Sequence, residues 1–450
     1  MARDPQPFLL RLQKKYGRIF TIYVAGERMS ILSDPIFGNR QAWRNTDCLS
    51  LGHFIQYISP SLFGYSKHFA ADIEFQEKLN EKILSVLNST PLIADVTQSL
   101  KATYLSLIDD GSVYTKFMDG DVIDLYQYSR HNMYYSSARA LFGPEFPIDK
   151  IFLPYTRFED GIVKFLKRYP RFLNSDGYNA QQKVLAELGS FFMDFSRVSK
   201  SSVLVRALYD IFMASIYKSP ADLAGYFFAI IFASKSNSVP AAFWLLANIV
   251  ADAALKAEIE GIIASNYDPE TDDFDWNKLL KNPVIVSCFK ETVRLNVNVI
   301  SGRKVMKDYT IKVASDSEEE AKNVTLRAGS LLLMPLNMLH WNKESYPDPM
   351  KWIGKRFLAD NKGIHNADKW RAAYAPWGGG AHMCPGRHLA LLEAVIQLVY
   401  TLAHFDIEPI EDLPAPIVGD RYGAGVFKPE RGYRVKFTRR KTVLPSAVKS

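Results

Sequence analysis

Trp377-Gly378-Gly379-Gly380-Ala381-His382-Met383-Cys384-Pro385-Gly386-Arg387 is the stretch of this 450-residue chain that decides its fold. It places a cysteine after a run of three glycines and directly before a Pro-Gly step. Glycines permit positive φ angles and let the backbone approach a flat ligand closely. The helix predicted to begin near Gly386 offers free backbone N–H groups and the positive end of its dipole. We therefore expect a lowered pKa for the Cys384 thiol, although a lone cysteine is more often a buried structural residue.

This spacing resembles the haem-binding signature of the cytochrome P450 superfamily. Trp377, Gly380, His382, Cys384 and Gly386 fill the positions of the signature, and Trp377 stands where the family usually has Phe. The resemblance implies that Cys384 is the metal ligand, the axial thiolate of haem b (iron protoporphyrin IX). It also implies that His382 contacts a haem propionate, where the family often has an Arg, and that Trp377 is an aromatic lid near the sulfur.

Three further segments match the same family. Glu291-Thr292-Val293-Arg294 has the Glu-x-x-Arg spacing, which places both side chains on one helical face. The resemblance implies that Arg356 completes a buried Glu–Arg–Arg cluster with them, in a purely structural role. Arg303 stands where the family sends a cation to a haem propionate, and the alternative is a solvated loop arginine. His340 is interpreted as a packing or hydrogen-bonding residue.

A long helix is predicted over residues 221–253, and the resemblance places it across the distal face of the haem. The family's acid–alcohol pair, which delivers protons to dioxygen, is replaced here by Ser236 and Asn237. Asn237, Ser236 and Ser238 are therefore the candidate catalytic residues, with a polar patch in a kinked helix as the alternative. Pro240 removes one helical hydrogen bond and is expected to help open the helix.

Residues 233–244, 347–349 and 420–426 resemble the branch that contains the sterol 7-alpha-hydroxylases and prostacyclin synthase. These activities differ, because one inserts oxygen with electrons and the other isomerises an endoperoxide without any. The turn at 422–427 is expected to reach back into the active site. The aromatic segments 54–57 and 226–228 are interpreted either as the lining of an apolar cavity or as plain core.

Periodicity predicts a mainly α protein with small β-sheets, as a single domain over residues 1–450. The resemblance implies that this is the cytochrome P450 fold. Two short strands at 19–24 and 29–32 form a predicted hairpin. The predicted helices are 75–87, 96–108, 122–141, 179–195, 203–216, 221–253, 278–293 and 386–405. Further strands are predicted at 309–313, 323–327 and 330–335, with a solvated tip at 316–320.

Composition excludes several other classes. The chain is 48% hydrophobic and 23% charged, as is usual for a globular protein, so disorder is excluded. The net charge of +7 is spread over 450 residues, unlike the dense basic stripe of a nucleic-acid binder. Three distant cysteines exclude a disulfide scaffold or a multi-cysteine metal site. No stretch has the ~18 consecutive apolar residues of a membrane span.

The resemblance implies a haem-thiolate monooxygenase that hydroxylates a lipophilic small molecule, in secondary metabolism, with O2 and electrons from NADPH-cytochrome P450 reductase. Two alternatives stay open: an electron-independent isomerase or dehydratase, and a non-enzymatic haem sensor. We expect the full-length protein to lie at the cytosolic face of the endoplasmic reticulum membrane, held by an upstream anchor that is not in this chain.

Overall fold

The structure is a computed structural model that describes residues 5–24, 26–56, 59–87, 89–110, 118–119, 121–167, 169–314, 321–358, 371–417 and 423–443. Most of these residues are helical. The helices are α1 (Pro5–Tyr16), α2 (Gly38–Arg44), α3 (Leu51–Ile55), α4 (Ser59–Phe63), α5 (Lys67–Ala71), α6 (Ile73–Leu87), α7 (Thr90–Asp110), α8 (Leu125–Phe142), α9 (Ile148–Asp160), α10 (Ile162–Leu166), α11 (Ser175–Met193), α12 (Phe195–Ser199), α13 (Val203–Met213), α14 (Pro220–Lys235), α15 (Ser238–Ala251), α16 (Ala253–Ala264), α17 (Trp276–Leu279), α18 (Pro283–Asn296), α19 (Leu336–His340) and α20 (Arg387–His404).

The strands are short and form small sheets. They are β1 (Ile19–Val24), β2 (Glu27–Leu32), β3 (Leu49–Ser50), β4 (Met118–Asp119), β5 (Val122–Asp124), β6 (Tyr267–Asp268), β7 (Asp273–Phe274), β8 (Val297–Val305), β9 (Tyr309–Ala314), β10 (Ala321–Leu326), β11 (Leu331–Pro335), β12 (Phe405–Pro409), β13 (Ala424–Val426) and β14 (Arg434–Arg439). A mainly α fold with small sheets is thereby confirmed. The single-domain assignment stays a prediction.

The largest sheet carries the strand that positions the site. Its order is β1-β2-β11-β8-β13, and β3 also pairs with β8. The predicted β1–β2 hairpin is present, with Ile19 opposite Leu32. Strand β8 runs antiparallel to β11, with Arg303 opposite Leu332, and its first residues pair with β13. Strand β8 therefore carries Arg303 and also pairs with the chain segment around Gly425.

The helix predicted over residues 221–253 is broken in the structure. Helix α14 ends at Lys235 and α15 begins at Ser238, so Ser236 and Asn237 form a turn between them. Pro240 explains the position of the break, because a proline ring clashes with the carbonyl four residues earlier, here that of Ser236. The second half ends at Ala251, where the Asp252 side chain caps α16.

Helices α8, α15 and α20 pack against one another in the main hydrophobic core. Along α15, almost every residue from Ser238 to Val250 is buried. A helix that is apolar on all sides can be accommodated only when neighbours surround it, which here include α8 and α20. Helices α8 and α20 therefore hold α15, and with it the break between α14 and α15, in place.

Several other segments differ from the predictions, among them strand β8, which was not predicted. Residues 122–124 form strand β5 before α8 begins, because the Asp124 side chain caps the helix. The helix predicted over 278–293 is divided into α17 and α18, with Pro283 as the first residue of α18. Helix α1 precedes the first hairpin and was not predicted, because its apolar residues form only one short stripe.

Some predictions lie outside the described residues: the hairpin tip at 316–320, Tyr57, and the matching residues 420–422. Within the described ranges, no single helix is long and apolar enough to cross a membrane. One pair bent by 111°, Pro220–Ala251 with Ala253–Ala264, passes that test by length and composition only.

Candidate functional site

The glycine-rich loop closes on itself and on α2. The Cys384 N–H donates to the Trp377 carbonyl at 2.9 Å, across a short 3-10 turn at Gly380–His382. Gly380 has a φ of +68°, and a Cβ built on it would lie 2.1 Å from the Trp43 carbonyl oxygen. Only glycine adopts this φ angle readily and also leaves room for the Trp43 carbonyl. Helix α2, which carries Trp43, therefore packs directly against the loop.

Cys384 is half-buried at the end of this loop. Burial raises the pKa of its thiol, and the Gly386 N–H and the Arg387 charge oppose that effect. The pKa of the Cys384 thiol is therefore raised in the protein alone and not lowered as expected, because the effect of desolvation exceeds that of the helix start. The role of Cys384 as metal ligand stays a prediction.

Arg303 is buried on β8, only 2% exposed. Its Nη1 donates to the Gly302 carbonyl at 2.7 Å and to Ser301 Oγ at 3.2 Å, and among the described residues it has no carboxylate partner. Burial lowers the pKa of Arg303 to about 10. A buried charge is unfavourable unless a group of opposite charge is paired with it. Because Arg303 is buried, the alternative of a solvated loop arginine does not fit.

His382 is the last residue of the 3-10 turn, and Trp377 precedes the turn. Burial and the nearby Arg303 charge lower the pKa of His382, so its imidazole is held neutral. The Trp377 ring stacks on Phe289, with centroids 6.2 Å apart, on the face of α18. These contacts place His382 close to Arg303 and fix the orientation of Trp377.

The predicted Glu–Arg–Arg cluster is present and fully buried. Arg294 Nε donates to Glu291 Oε2 at 2.7 Å, and Arg356 Nε donates to Glu291 Oε1 at 2.9 Å. Arg294 Nη1 also donates to the His340 and Pro349 carbonyls, and Arg356 donates to the carbonyls of Pro347, Asp348 and Lys351. The cluster is structural, because the N–H groups of its two arginines donate to Glu291 and to backbone carbonyls.

His340 acts as a hydrogen-bonding core residue, as interpreted. Its Nε2 accepts the Ala375 N–H at 3.1 Å, just before the glycine-rich loop. Burial, with the Arg294 charge, lowers the pKa of His340 to about 3. The imidazole is therefore neutral and supports the approach to the loop.

The three distal candidates lie together at the break between α14 and α15, with different partners. Asn237 Oδ1 accepts the Val426 N–H at 3.0 Å. Ser238 Oγ donates to the Ser234 carbonyl at 2.6 Å. Ser236 Oγ is fully buried and has no hydrogen-bond partner among the described residues. Asn237 is thus held by β13, while Ser236 has an unused hydroxyl. Their catalytic roles stay predictions.

Sequence reasoning missed two features of the site. Trp43 was not singled out, although the loop packs on it. Lys235 has no predicted role, although it is buried and its Nζ donates to Ser137 Oγ, which in turn donates to Glu393. A lysine inside an otherwise apolar helix was the available signal.

The aromatic segments divide between site and core. Phe54 packs over Gly302, where a Cβ would lie 2.3 Å from its ring, so it lies beside the Arg303 strand. Phe228 packs edge-on against Phe63 and tilted against Phe158, which makes it part of the core.

These residues fit a haem group. Arg303 supplies a buried cation with no carboxylate partner among the described residues, a Cβ built on Gly386 would lie 3.9 Å from the Cys384 sulfur, and that cysteine is free. Among the residues that the structure describes, no group of three or more His, Cys, Asp or Glu side chains could hold a metal ion.

Residues 85–437 match the sequence family described as Cytochrome P450. The matched region includes the glycine-rich loop, the Glu–Arg–Arg cluster and the distal break.

Curated relatives align over nearly the whole chain. A cytochrome P450 monooxygenase from Gibberella zeae is 26% identical over 96% of this chain and 83% of the relative. The human 7-alpha-hydroxycholest-4-en-3-one 12-alpha-hydroxylase is 25% identical over 96% of this chain and 88% of the relative. Cytochrome P450 7A1 of Sus scrofa is 24% identical over 96% and 89%. The likeness to sterol hydroxylases agrees with the predicted branch.

Proposed function

The chain belongs to the cytochrome P450 family and is a monooxygenase of that family, and from this premise we propose that it hydroxylates a lipophilic small molecule. Electrons come from an NADPH-cytochrome P450 reductase and the oxygen atom from O2. The observation that carries the proposal is the burial of Arg303 beside the loop of Cys384, without a carboxylate partner among the described residues. The sterol hydroxylases among the relatives support a lipophilic substrate.

Haem b is the cofactor of the proposal. Cys384 would ligate its iron, and Arg303 and His382 would hold its propionates, with Trp377 beside the sulfur. When bound, haem supplies oxygen activation at a thiolate-ligated iron, where electron donation from sulfur favours O–O cleavage. A propionate would give Arg303 the charge partner that the described residues do not provide.

The protein's own residues shape the distal side. The hydrogen bond from Val426 orients the Asn237 carboxamide, which can donate through its N–H2 group but cannot relay a proton as a hydroxyl can. Ser236 offers the free hydroxyl, and it can bind water at the helix break. We infer that water ordered by Ser236 carries protons where the family's acid–alcohol pair is missing.

We propose that the protein works at the cytosolic face of the endoplasmic reticulum membrane and in secondary metabolism, as the family resemblance implies. The net charge of +7 suits an acidic reductase surface and anionic lipid. Fractionation of cells that express the native gene tests the location, and recovery of the product in the cytosol would refute it. The genes beside the native locus test the pathway: housekeeping neighbours would contradict secondary metabolism.

The decisive experiment combines purified protein, reductase, NADPH and candidate lipophilic substrates. NADPH-dependent oxygenated product is expected. Product that forms without NADPH would indicate an electron-independent isomerase instead. Haem binding with no product would leave the non-enzymatic haem sensor as the remaining alternative.

The carbon monoxide spectrum of the reduced protein tests the thiolate. The spectrum typical of thiolate ligation is expected for the wild type and for Cys48→Ala, a control at another half-buried free cysteine. Cys384→Ala should abolish it. A histidine-type spectrum from the wild type would overturn the assignment of Cys384.

A further inference from the structure

Four buried side chains join four helices at the distal break. Lys235 is the last residue of α14, Ser238 the first of α15, Ser137 lies on α8 and Glu393 on α20. We call them the Lys235 network. Lys235 Nζ donates to Ser137 Oγ, Ser137 Oγ donates to Glu393 Oε1, and Glu393 also shares a hydrogen bond with Ser238.

Lys235 and Glu393 form an isolated pair of opposite charge. They are 1% and 3% exposed. Burial lowers the pKa of Lys235 to about 8 and raises the pKa of Glu393, and the charge of each opposes the shift of the other. No further charge acts on either of them from the described residues. The other titratable groups of these four helices are Asp222, Tyr226, Tyr126, Tyr128, Arg130, His131, Tyr134, Tyr135, Arg139, Arg387, His388, Tyr400 and His404.

Ser137 lies between the two and can carry a proton from one to the other. Its hydroxyl accepts from Lys235 and donates to Glu393, so a shift of both protons converts the charged pair into the neutral pair. Because desolvation disfavours both charges, burial reduces the free-energy difference between the charged and the neutral pair. The two hydrogen bonds through Ser137 give a proton a path from one group to the other.

Ser238 connects this pair to the helix break. Its hydroxyl has a single proton, which is directed at the Ser234 carbonyl at 2.6 Å. If Glu393 is protonated, the carboxyl can donate to Ser238 Oγ and that bond is kept. If Glu393 is ionised, the Ser238 proton is drawn to the carboxylate. Two residues away lies Ser236, whose buried Oγ has no partner among the described residues.

We propose that the Lys235 network stores the proton that the distal pocket consumes and delivers it through Ser238, in place of the missing acid–alcohol pair. This inference rests on the proposed function. An N–H bond at Lys235 breaks, and an O–H bond forms on a water at the helix break. The Ser137, Glu393 and Ser238 oxygens each gain and lose one proton. Solvent water restores the Lys235 N–H, and no electrons move. Lys235 and Glu393 act through Ser238 and do not touch the reacting atoms.

Glu393→Gln tests the proposal, because Gln keeps the shape and cannot carry the proton. Gln397→Met is the matched control: Gln397 is also buried on α20 and also bonds a serine of α8, Ser129 at 2.9 Å, but it does not titrate. Infrared spectra of the resting haem-loaded proteins in H2O and D2O report a protonated buried carboxyl without turnover. The ratio of hydrogen peroxide to product reports proton delivery.

We expect a deuterium-sensitive carboxylic acid band in the wild type and in Gln397→Met, but not in Glu393→Gln. In Lys235→Met the band should persist to higher pH, because the Lys235 charge lowers the pKa of Glu393. In Glu393→Gln, product formation should fall by about 100-fold or more, with peroxide rising in proportion, since positioned proton transfer contributes roughly 10²–10⁴-fold.

A band that survives in Glu393→Gln, or equal loss of coupling in Glu393→Gln and Gln397→Met, would overturn the network's role. If the wild type forms no NADPH-dependent product, the proposed function fails instead. The infrared comparison then still decides whether Glu393 exchanges a proton with Lys235.

Discussion

The carboxamide oxygen of Asn237 accepts the backbone N–H of Val426 at 3.0 Å, which ties the break in the distal helix to strand β13. The preceding Gly425 has a φ of +122°, and a Cβ built on it would lie 2.4 Å from the same oxygen. The absence of a side chain at Gly425 therefore permits the hydrogen bond. Since β13 pairs with β8, the contact links the distal helix to the strand of Arg303.

Asn237→Ala should lower product formation and raise peroxide release, because the distal pocket loses an oriented polar group. The Val426 N–H is left without its acceptor, which costs about 1–3 kcal/mol of unfolding free energy. Asn248→Ala is the control, since Asn248 lies within α15, which begins directly after Asn237, and its side chain donates to the Trp244 carbonyl of the same helix. Unchanged turnover and coupling in Asn237→Ala would show that this residue is only packing.

Gly380→Ala and Gly378→Ala should separate backbone strain from steric contact in the glycine-rich loop. Both glycines have positive φ, +68° and +71°, so alanine at either costs roughly 1–2 kcal/mol in conformation. Only at Gly380 would the new Cβ also meet the Trp43 carbonyl, while nothing lies within 4 Å at Gly378. Haem content after purification should fall in Gly380→Ala and be nearly normal in Gly378→Ala. Equal losses would contradict the role of Trp43.

Arg294→Lys should destabilise the fold although the charge is kept. Lysine cannot reproduce the two bonds to Glu291 together with those to the His340 and Pro349 carbonyls. We expect a loss of about 3–5 kcal/mol in denaturant unfolding, as for other broken buried pairs. Arg327→Lys, at the exposed pair with Asp308, should change stability by less than about 1 kcal/mol. A stable, haem-replete Arg294→Lys protein would contradict this account.

His340 should make the fold acid-sensitive. Its pKa is about 3 in the folded protein against 6.5 ordinarily, so between these values the unfolded chain binds more protons. The stability contributed by neutral His340 is complete above pH 6.5 and is lost as the pH falls toward 3. His340→Asn should flatten the dependence of the unfolding free energy on pH in this window, and His68→Asn, at an exposed histidine, should not. Parallel slopes for wild type and His340→Asn would refute the assignment.

The sequence predicted those parts of the fold that depend on short spacings. The β1–β2 hairpin, the Glu291–Arg294 pair and the loop before Cys384 each lie within 14 residues, so a pattern or a family signature suffices. Pro240 was recognised as a source of distortion, but whether the helix would bend or break depends on its neighbours, since almost all of α15 is buried.

Contacts between distant segments could not be predicted in this way. Lys235 and Ser137 are 98 residues apart, and Ser137 and Glu393 are 256 apart, so nothing local marks them as partners. The Cys384 pKa was expected in the wrong direction for a similar reason. The helix start is visible in the sequence, but the burial that opposes it is a property of the folded chain.

The two guanidinium groups of the Glu–Arg–Arg cluster hold residues 347–351 by main-chain carbonyls alone. Every residue type carries such a carbonyl, so these bonds place no demand on the side chains of the segment. Residues 347–351 can therefore accumulate substitutions over evolutionary time without loosening their attachment, provided that the backbone path is kept. The same does not hold for Glu291, Arg294 and Arg356, because their side chains form the cluster. The sequence of residues 347–351 can therefore change while these three side chains keep the segment in place.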